Sequence, residues 1–311
     1  MITELLPCPE PGVYEDVPME VYLRWDAISN TGLGYMLRSP AHYQAYLHEP
    51  SGDSEAQLIG RAAHMAILEP PRFEQTFYRI PKPDPHLFTN KDGSPSKNPA
   101  NTSAYKEAVR AMADENPDKV GLKDELWEDV LRMRRSALLH PRLRKVIEST
   151  GRAELSIVWR DPKTGALCKC RLDWHTPTYA GGAIVDLKTT PDAAPWAFGG
   201  SANKWGYYRQ GAMHSQGTRE AGLPVAHFTF AAIEKKPAVL VGDEVMHGVV
   251  LYRLRDEDLS LGNEQVDYAL ALYAECKRTG EWPGYPTDVL DLTLPAWAGQ
   301  DIERNAEELV A

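Results

Sequence analysis

Two apolar runs, each ending in charge, constrain this chain most. The first is Arg171-Leu-Asp173-Trp174, with Asp173 near its end; the second is Gly182-Ala-Ile-Val-Asp186-Leu-Lys188-Thr-Thr190. Residues two apart on a strand share a face, so Asp186 and Lys188 project together while Leu187 points into the core. Asp173 lies thirteen residues before Asp186, enough for a strand connection that returns to the same sheet end. Two carboxylates and an ammonium gathered there suit a hard, oxygen-loving cation together with a phosphate.

The flanking segments supply a mixed α/β (α+β) frame. Residues 1–52 read as an N-terminal helical segment. Ser29 is placed to cap a helix towards Leu37, and Ser39-Pro40 makes a cap and first residue of another. Residues 54–69 read as a strong helix, with Leu58, Ala62, Met65 and Leu68 at helical spacing and His64 on the adjoining face. Gly60 is unfavourable inside that helix by about 1 kcal/mol, which points to a close approach there. A proline-rich loop at 81–103 opens an insertion to about 150, with helices at about 103–115 and 122–139. Strands are expected at 154–160, 166–174 and 183–188, a helix at 203–216, strands at 226–233 and 245–254, and a long helix at about 256–279. The core thus spans 53–280, with a tail at 281–311 whose acidic end, from Gln300, is expected to fray.

Charge narrows the function. The chain carries 34 basic and 44 acidic residues, a net charge of −10. That argues against coating nucleic acid over the whole surface, but it permits a local basic groove around an acidic site. Between Arg132 and Arg152 seven basic residues face the single acid Glu148. Arg132, Arg135, Arg142, Arg144 and Lys145 are therefore nucleic-acid candidates, a solvated helix face being the alternative. Trp196, Trp205, Tyr207 and Tyr208 are either stacking platforms or core residues. Glu154 is either an auxiliary acid of the site or an exposed strand-end carboxylate. The four cysteines include no Cys-x-x-Cys pair, so buried thiols are expected rather than a disulfide or zinc framework. No window approaches the roughly 20 apolar residues of a membrane span. The first residues lack a leader pattern, and a cytoplasmic location is expected.

A lone Asp-x-Lys is common on surface strands. Here it stands in order with Gly60-Arg-Ala-Ala-His64, Ala153-Glu-Leu-Ser156, Arg171-x-Asp173, Asp186-Leu-Lys188-Thr189 and Tyr208-Arg-Gln210, with Ser39-Pro-Ala-His-Tyr43 before and Leu294-Pro-Ala-Trp297 after. This arrangement resembles the PD-(D/E)XK nuclease superfamily in its RecB-like branch. It is most similar to the RecE-type exonuclease VIII of phages and prophages, over about Tyr14 to Trp297. The resemblance implies a restriction-endonuclease-like core, a mixed central sheet flanked by helices. It implies that His64, Asp173, Asp186 and the Leu187 carbonyl hold Mg²⁺ or Mn²⁺. Lys188 would orient the attacking water or steady the phosphate, and Gln210 would place the nucleic-acid backbone. Where the RecB-like pattern has tyrosine four residues after the glutamine, this chain has His214. The Cys168-x-Cys170 pair does not match the four-cysteine arrangement of iron–sulfur relatives, so no cluster is expected.

By resemblance, the activity is resection of double-stranded DNA ends, 5′→3′, leaving single strand for an annealing protein in recombination. Such relatives form homo-oligomeric rings. The alternatives are an endonuclease on the same core and a non-catalytic DNA-binding scaffold. The last explains least, since a scaffold has no need to hold like charges together.

Overall fold

The computed structural model describes residues 5–48 and 54–294. In chain order the elements begin β1 (Gly12–Tyr14), α1 (Met19–Arg24), α2 (Asn30–Arg38), α3 (Pro40–His48), α4 (Glu55–Leu68), α5 (Pro70–Thr76) and β2 (Phe77–Ile80). After a loop come α6 (Ser103–Glu115), β3 (Val120–Lys123), α7 (Asp124–Leu139) and α8 (Pro141–Ile147). The second half runs β4 (Arg152–Arg160), β5 (Leu167–Thr176), β6 (Ala183–Thr190), α9 (Pro195–Trp205), α10 (Tyr207–Glu220), β7 (His227–Val241), β8 (Glu244–Arg253) and α11 (Asp256–Thr279). The 52/53 boundary, the Pro295–Trp297 part of the last motif and the acidic end lie outside the described residues.

A six-stranded mixed sheet, ordered β1-β4-β5-β6-β7-β8, organises the molecule. Neighbours are antiparallel except β6 and β7, which run parallel from Ala183↔His227 to Thr190↔Glu234. A parallel pair needs a long crossover, and α9 with α10 provides it. The charges of β6 therefore face the helices that follow them. One sheet face carries Ile157, Leu172, Ile184 and Phe230 against Leu33, Met213 and Leu270 of α2, α10 and α11. The other carries Val185, Leu187 and Ile233 against Ile67, Met133 and Leu143 of α4, α7 and α8. Leu187 is 1% exposed, as the period-two reading requires. Each such side chain withdrawn from water contributes about 1.5–3 kcal/mol.

Several local readings differ from expectation. The N-terminal segment includes β1, which pairs with β4. A parallel pair, β2 with β3, flanks the proline-rich loop; both strands are too short for period to reveal. The single helix expected at 203–216 is two helices, because Gly206 has φ 65°, a conformation that breaks a right-handed helix and favours glycine. The caps are as read: Ser29 Oγ accepts from the Gly32 N–H at 3.4 Å and Ser39 Oγ from the His42 N–H at 3.3 Å. Among the described residues no helix is long and apolar enough to cross a membrane.

Candidate active site

A regular strand keeps residues two apart on one face. β4 and β5 break that rule side by side. Ala153 and Trp174 belong to the layer under α4 and α8, whereas Leu155 and Leu172 belong to the opposite layer. Ala153 pairs with Trp174 and Leu155 with Leu172, while Glu154 and Asp173 between them are unpaired. Glu154 has φ 50°, a region that non-glycine residues enter at a cost. This double reversal aims both carboxylates at the seam between β5 and β6.

The seam is a real gap. β5 and β6 pair only from Trp174↔Val185 to Thr176↔Ala183. Beyond Val185 the Leu187 N–H has lost its strand partner, and Asp173 Oδ2 accepts it at 2.8 Å. Helix α4 delivers His64 to the same place. Its start is locked by a capping box, in which Ser54 Oγ accepts from the Gln57 N–H and Gln57 Oε1 from the Ser54 N–H. Ala62, Ala63 and Ala66 are buried and let the helix lie close to the sheet. A Cβ at Gly60 would meet Thr189 Oγ1 at 3.5 Å, an ordinary contact, so the close approach expected there is not a tight one. His64 Nδ1 is 3.4 Å from Asp173 Oδ2. Potential ligand atoms of His64, Glu154 and Asp173 all lie within 4.8 Å of one another.

Asp186 stands behind this trio, 1% exposed. Gln210 Nε2 donates to its Oδ1 at 2.7 Å. Its Oδ2 forms an ion pair with the Lys188 ammonium, but no well-aligned hydrogen bond reaches that buried oxygen. Gln210, expected to place the nucleic-acid backbone, here orients a site carboxylate. Lys188 Nζ also lies 4.9 Å from the centre of the Tyr207 ring. Lys188, Gln210 and His214 line one cleft of about 610 Å³ with His64, Glu154 and Asp173. His214 is buried and its Nδ1 has no hydrogen-bond partner.

Electrostatics at the seam favour a cation. Burial, helped by the neighbouring Lys188 charge, lowers the His64 pKa to about 4, which leaves the neutral imidazole that ligates metals. Burial and then Asp173 push Glu154 up to about 8. Burial raises Asp173 as well, and it raises Asp186 to about 6 against the opposing pull of Lys188. Burial works against the Lys188 ammonium, but Asp186 and Asp173 together hold its pKa above the ordinary value. Crowded, desolvated carboxylates beside a neutral imidazole are a donor set that a divalent ion satisfies.

A stability prediction follows from Glu154. Its folded pKa lies above the ordinary 4.5, so the folded metal-free protein holds that proton more tightly than the unfolded chain. Its contribution is fully present below about pH 4.5 and is lost as pH rises through about 8. His64 acts oppositely, but only below its ordinary 6.5. Between pH 6.5 and 8 the metal-free melting temperature is expected to fall. Glu154→Gln, which has no charge to bury, is expected to flatten that slope and melt a few degrees higher at pH 8, at about 2–4 °C per kcal/mol. Calorimetry at several pH values checks both.

The basic candidates of the second quarter lie elsewhere. None of Arg132, Arg135, Arg142, Arg144 and Lys145 lines the cleft, nor does Tyr208. Arg132 pairs with Asp129, Arg135 with Glu244 and Arg144 with Glu148. The basic residues that line the cleft are Arg61, Arg72, Lys169, Arg171 and Lys188, interleaved with Asp26, Glu69, Glu154 and Asp173, and Arg72 pairs with Glu69 at 3.1 Å. Arg171 is buried, donating Nε–H to Ser156 Oγ at 3.0 Å, and it lies 3.9 Å from Glu154 Oε2. Lys169 Nζ donates to the carbonyls of Tyr22, Leu23 and Trp25 at the end of α1. Sequence reading missed Arg61 and Arg72. Arg61 was findable, since it precedes His64 by three and such helical residues share a face. Cys168 and Cys170 are buried in the core.

A mixed sheet parted at a seam, with carboxylates on adjacent strands, an Asp-x-Lys strand end and a histidine from a flanking helix, defines a PDDEXK-type fold. The chain belongs to the family described as the PDDEXK-like domain of unknown function (DUF3799), which matches residues 29–291. It is similar to a solved structure from Eubacterium rectale described as a candidate exonuclease. The TM-score is 0.53 at 13% identity, covering 92% of this chain and 98% of that one. A structure of SSO0001 gives a TM-score of 0.24 at 11% identity over 53% of this chain and 69% of that one, too low to carry an argument. No curated protein matches the sequence.

Proposed function

We propose that this protein is a divalent-metal-dependent deoxyribonuclease that shortens linear duplex DNA from its ends. The observation that carries the reading is the meeting of His64, Glu154 and Asp173 within 4.8 Å, in the same cleft as Lys188 and Gln210. The description of the Eubacterium rectale structure as a candidate exonuclease is in keeping with it.

His64, Glu154 and Asp173, with Asp186 and the Leu187 carbonyl beside them, would hold Mg²⁺ or Mn²⁺. Such an ion, when bound, lowers the pKa of a water and polarises the phosphodiester. His64 contributes as a neutral ring, a donor better suited to Mn²⁺ than to Mg²⁺. Asp186, steadied by Gln210, keeps the Lys188 ammonium charged and directed into the cleft. Lys188 meets the charge growing on the phosphoryl oxygens as a compact point charge. Arg61 and Arg72, which also line the cleft, are placed to meet the strand's phosphates.

The finer expectations belong to the same proposal and rest on the family resemblance. They are 5′→3′ polarity, delivery of single strand to an annealing protein during recombination, and assembly of several copies into a ring around DNA. The test compares internally labelled linear and covalently closed circular duplex, with Mg²⁺, Mn²⁺ or EDTA. Linear DNA is expected to shorten only with metal, and the circle to stay intact. Cutting of the circle would make the enzyme an endonuclease. No turnover of either substrate with either metal would overturn the proposal.

A further inference from the structure

A single exposed apolar side chain is ordinary, but an exposed indole on the lining of a functional cleft is placed to meet what the cleft binds. Among the described residues two tryptophans are exposed, Trp196 at 81% and Trp205 at 59%. Both are on α9, the helix that follows the Asp186–Lys188 strand. Only Trp205 lines the cleft.

The backbone holds Trp205 in that position. The next residue, Gly206, is the left-handed corner between α9 and α10, with φ 65°. A Cβ there would lie 2.6 Å from the Arg209 guanidinium, and a Cβ on Gly34 of α2 would lie 2.9 Å from the same group. That guanidinium is wedged between two glycines and donates to Asn30 Oδ1 at 3.0 Å and Gln265 Oε1 at 3.3 Å. The corner is therefore braced from two other helices, and the ring before it is presented rather than loose. One residue beyond the corner, Tyr207 packs against Lys188. On its other side Lys204 Nζ sits 4.9 Å from the centre of the Trp205 ring. An aromatic face with an ammonium against it, on the lining of a cleft that also carries Arg61 and Arg72, matches a base and its phosphate.

We infer that Trp205 is a stacking post for an unpaired nucleobase, so that DNA enters the cleft as single strand. The inference rests on the nuclease reading for its ligand class and adds what that reading leaves open, the state of the strand at the entrance. A base inside a duplex has both faces covered by its stacked neighbours, and a terminal pair opens only its outer face; an unpaired base turns its face to the ring freely, and the hairpin arm of the test separates the two. The terminal pair of a duplex must then fray before the strand advances. Ends with single-stranded overhangs are the better substrates.

The test measures binding, in EDTA, of the full chain to a fluorescein-labelled twelve-nucleotide oligothymidylate and to a blunt hairpin duplex. Trp205→Ala is expected to weaken strand binding at least about fivefold, and to change hairpin binding less than twofold. Trp205→Phe, which still stacks, stays within about threefold of the unchanged protein. Trp196→Ala, outside the cleft, has no effect. A strand with 2-aminopurine near its end loses fluorescence on binding the unchanged protein and not Trp205→Ala. Unaltered strand binding by Trp205→Ala overturns the inference. So does an equal loss in Trp196→Ala, or a Trp205→Phe variant as weak as alanine. If Trp205→Ala fails to fold, Trp205→Phe and the 2-aminopurine signal decide. Because no metal is present, these results stand whether or not cleavage is ever seen.

Discussion

Lys188→Ala is expected to reduce metal-dependent cleavage of linear DNA by about 10²–10³-fold, the scale on which removing one preorganised charge-stabilising group acts. The ammonium is only 17% exposed and is paired with Asp186, so little else can take its place. Lys188→Arg is expected to recover little. A planar guanidinium is larger and binds as a fork, whereas this site, closed by Tyr207 and Phe230, is shaped for a point charge. Metal uptake, read as a rise in melting temperature on adding Mn²⁺, is expected to survive in Lys188→Ala. That separates loss of phosphate stabilisation from loss of the ion. Cleavage by Lys188→Ala at the unaltered rate would remove this residue from the chemistry.

Asp173→Asn tests the other half of the site. Asparagine keeps an oxygen that can accept the Leu187 N–H now bound at 2.8 Å, so the seam should keep its shape. It gives up the charge that shares a donor set with His64 and Glu154. Cleavage is expected to fall at least about 10³-fold, and the Mn²⁺-induced rise in melting temperature to disappear. The contrast with Lys188→Ala is the informative result. A full Mn²⁺ response in Asp173→Asn would mean that the ion is held elsewhere.

Much of this site was legible because it follows regular periods. Asp186 and Lys188 share a face by the two-residue repeat, and His64 lies on a helix with an unmistakable apolar stripe. Both elements formed where their patterns placed them. The sequence leaves Glu154 ambiguous for the opposite reason. Its place beside His64 depends on a backbone turned to φ 50°, and no hydrophobic period encodes one residue of reversal. A regular strand would have sent that carboxylate to the opposite face. The split of the expected 203–216 helix was recoverable, since Gly206 follows the apolar Trp205 as a helix-ending glycine does. Arg72 was not, because it rides on α5, a helix of 7 residues, too short to show a stripe. The basic cluster around Arg132–Lys145 drew attention through composition alone. Asp129 and Glu148 lie one helical turn from Arg132 and Arg144, where spacing alone offers them as partners; only Glu244 returns from a distant strand, to meet Arg135.

The parted strands carry one more implication. The amide of Leu187 is fastened by a lone carboxylate, where its neighbours are fastened by a ladder. Whatever draws electron density from Asp173 must loosen that amide. Its proton resonance and its rate of isotope exchange therefore act as an internal reporter, able to register an ion's arrival before any DNA is present.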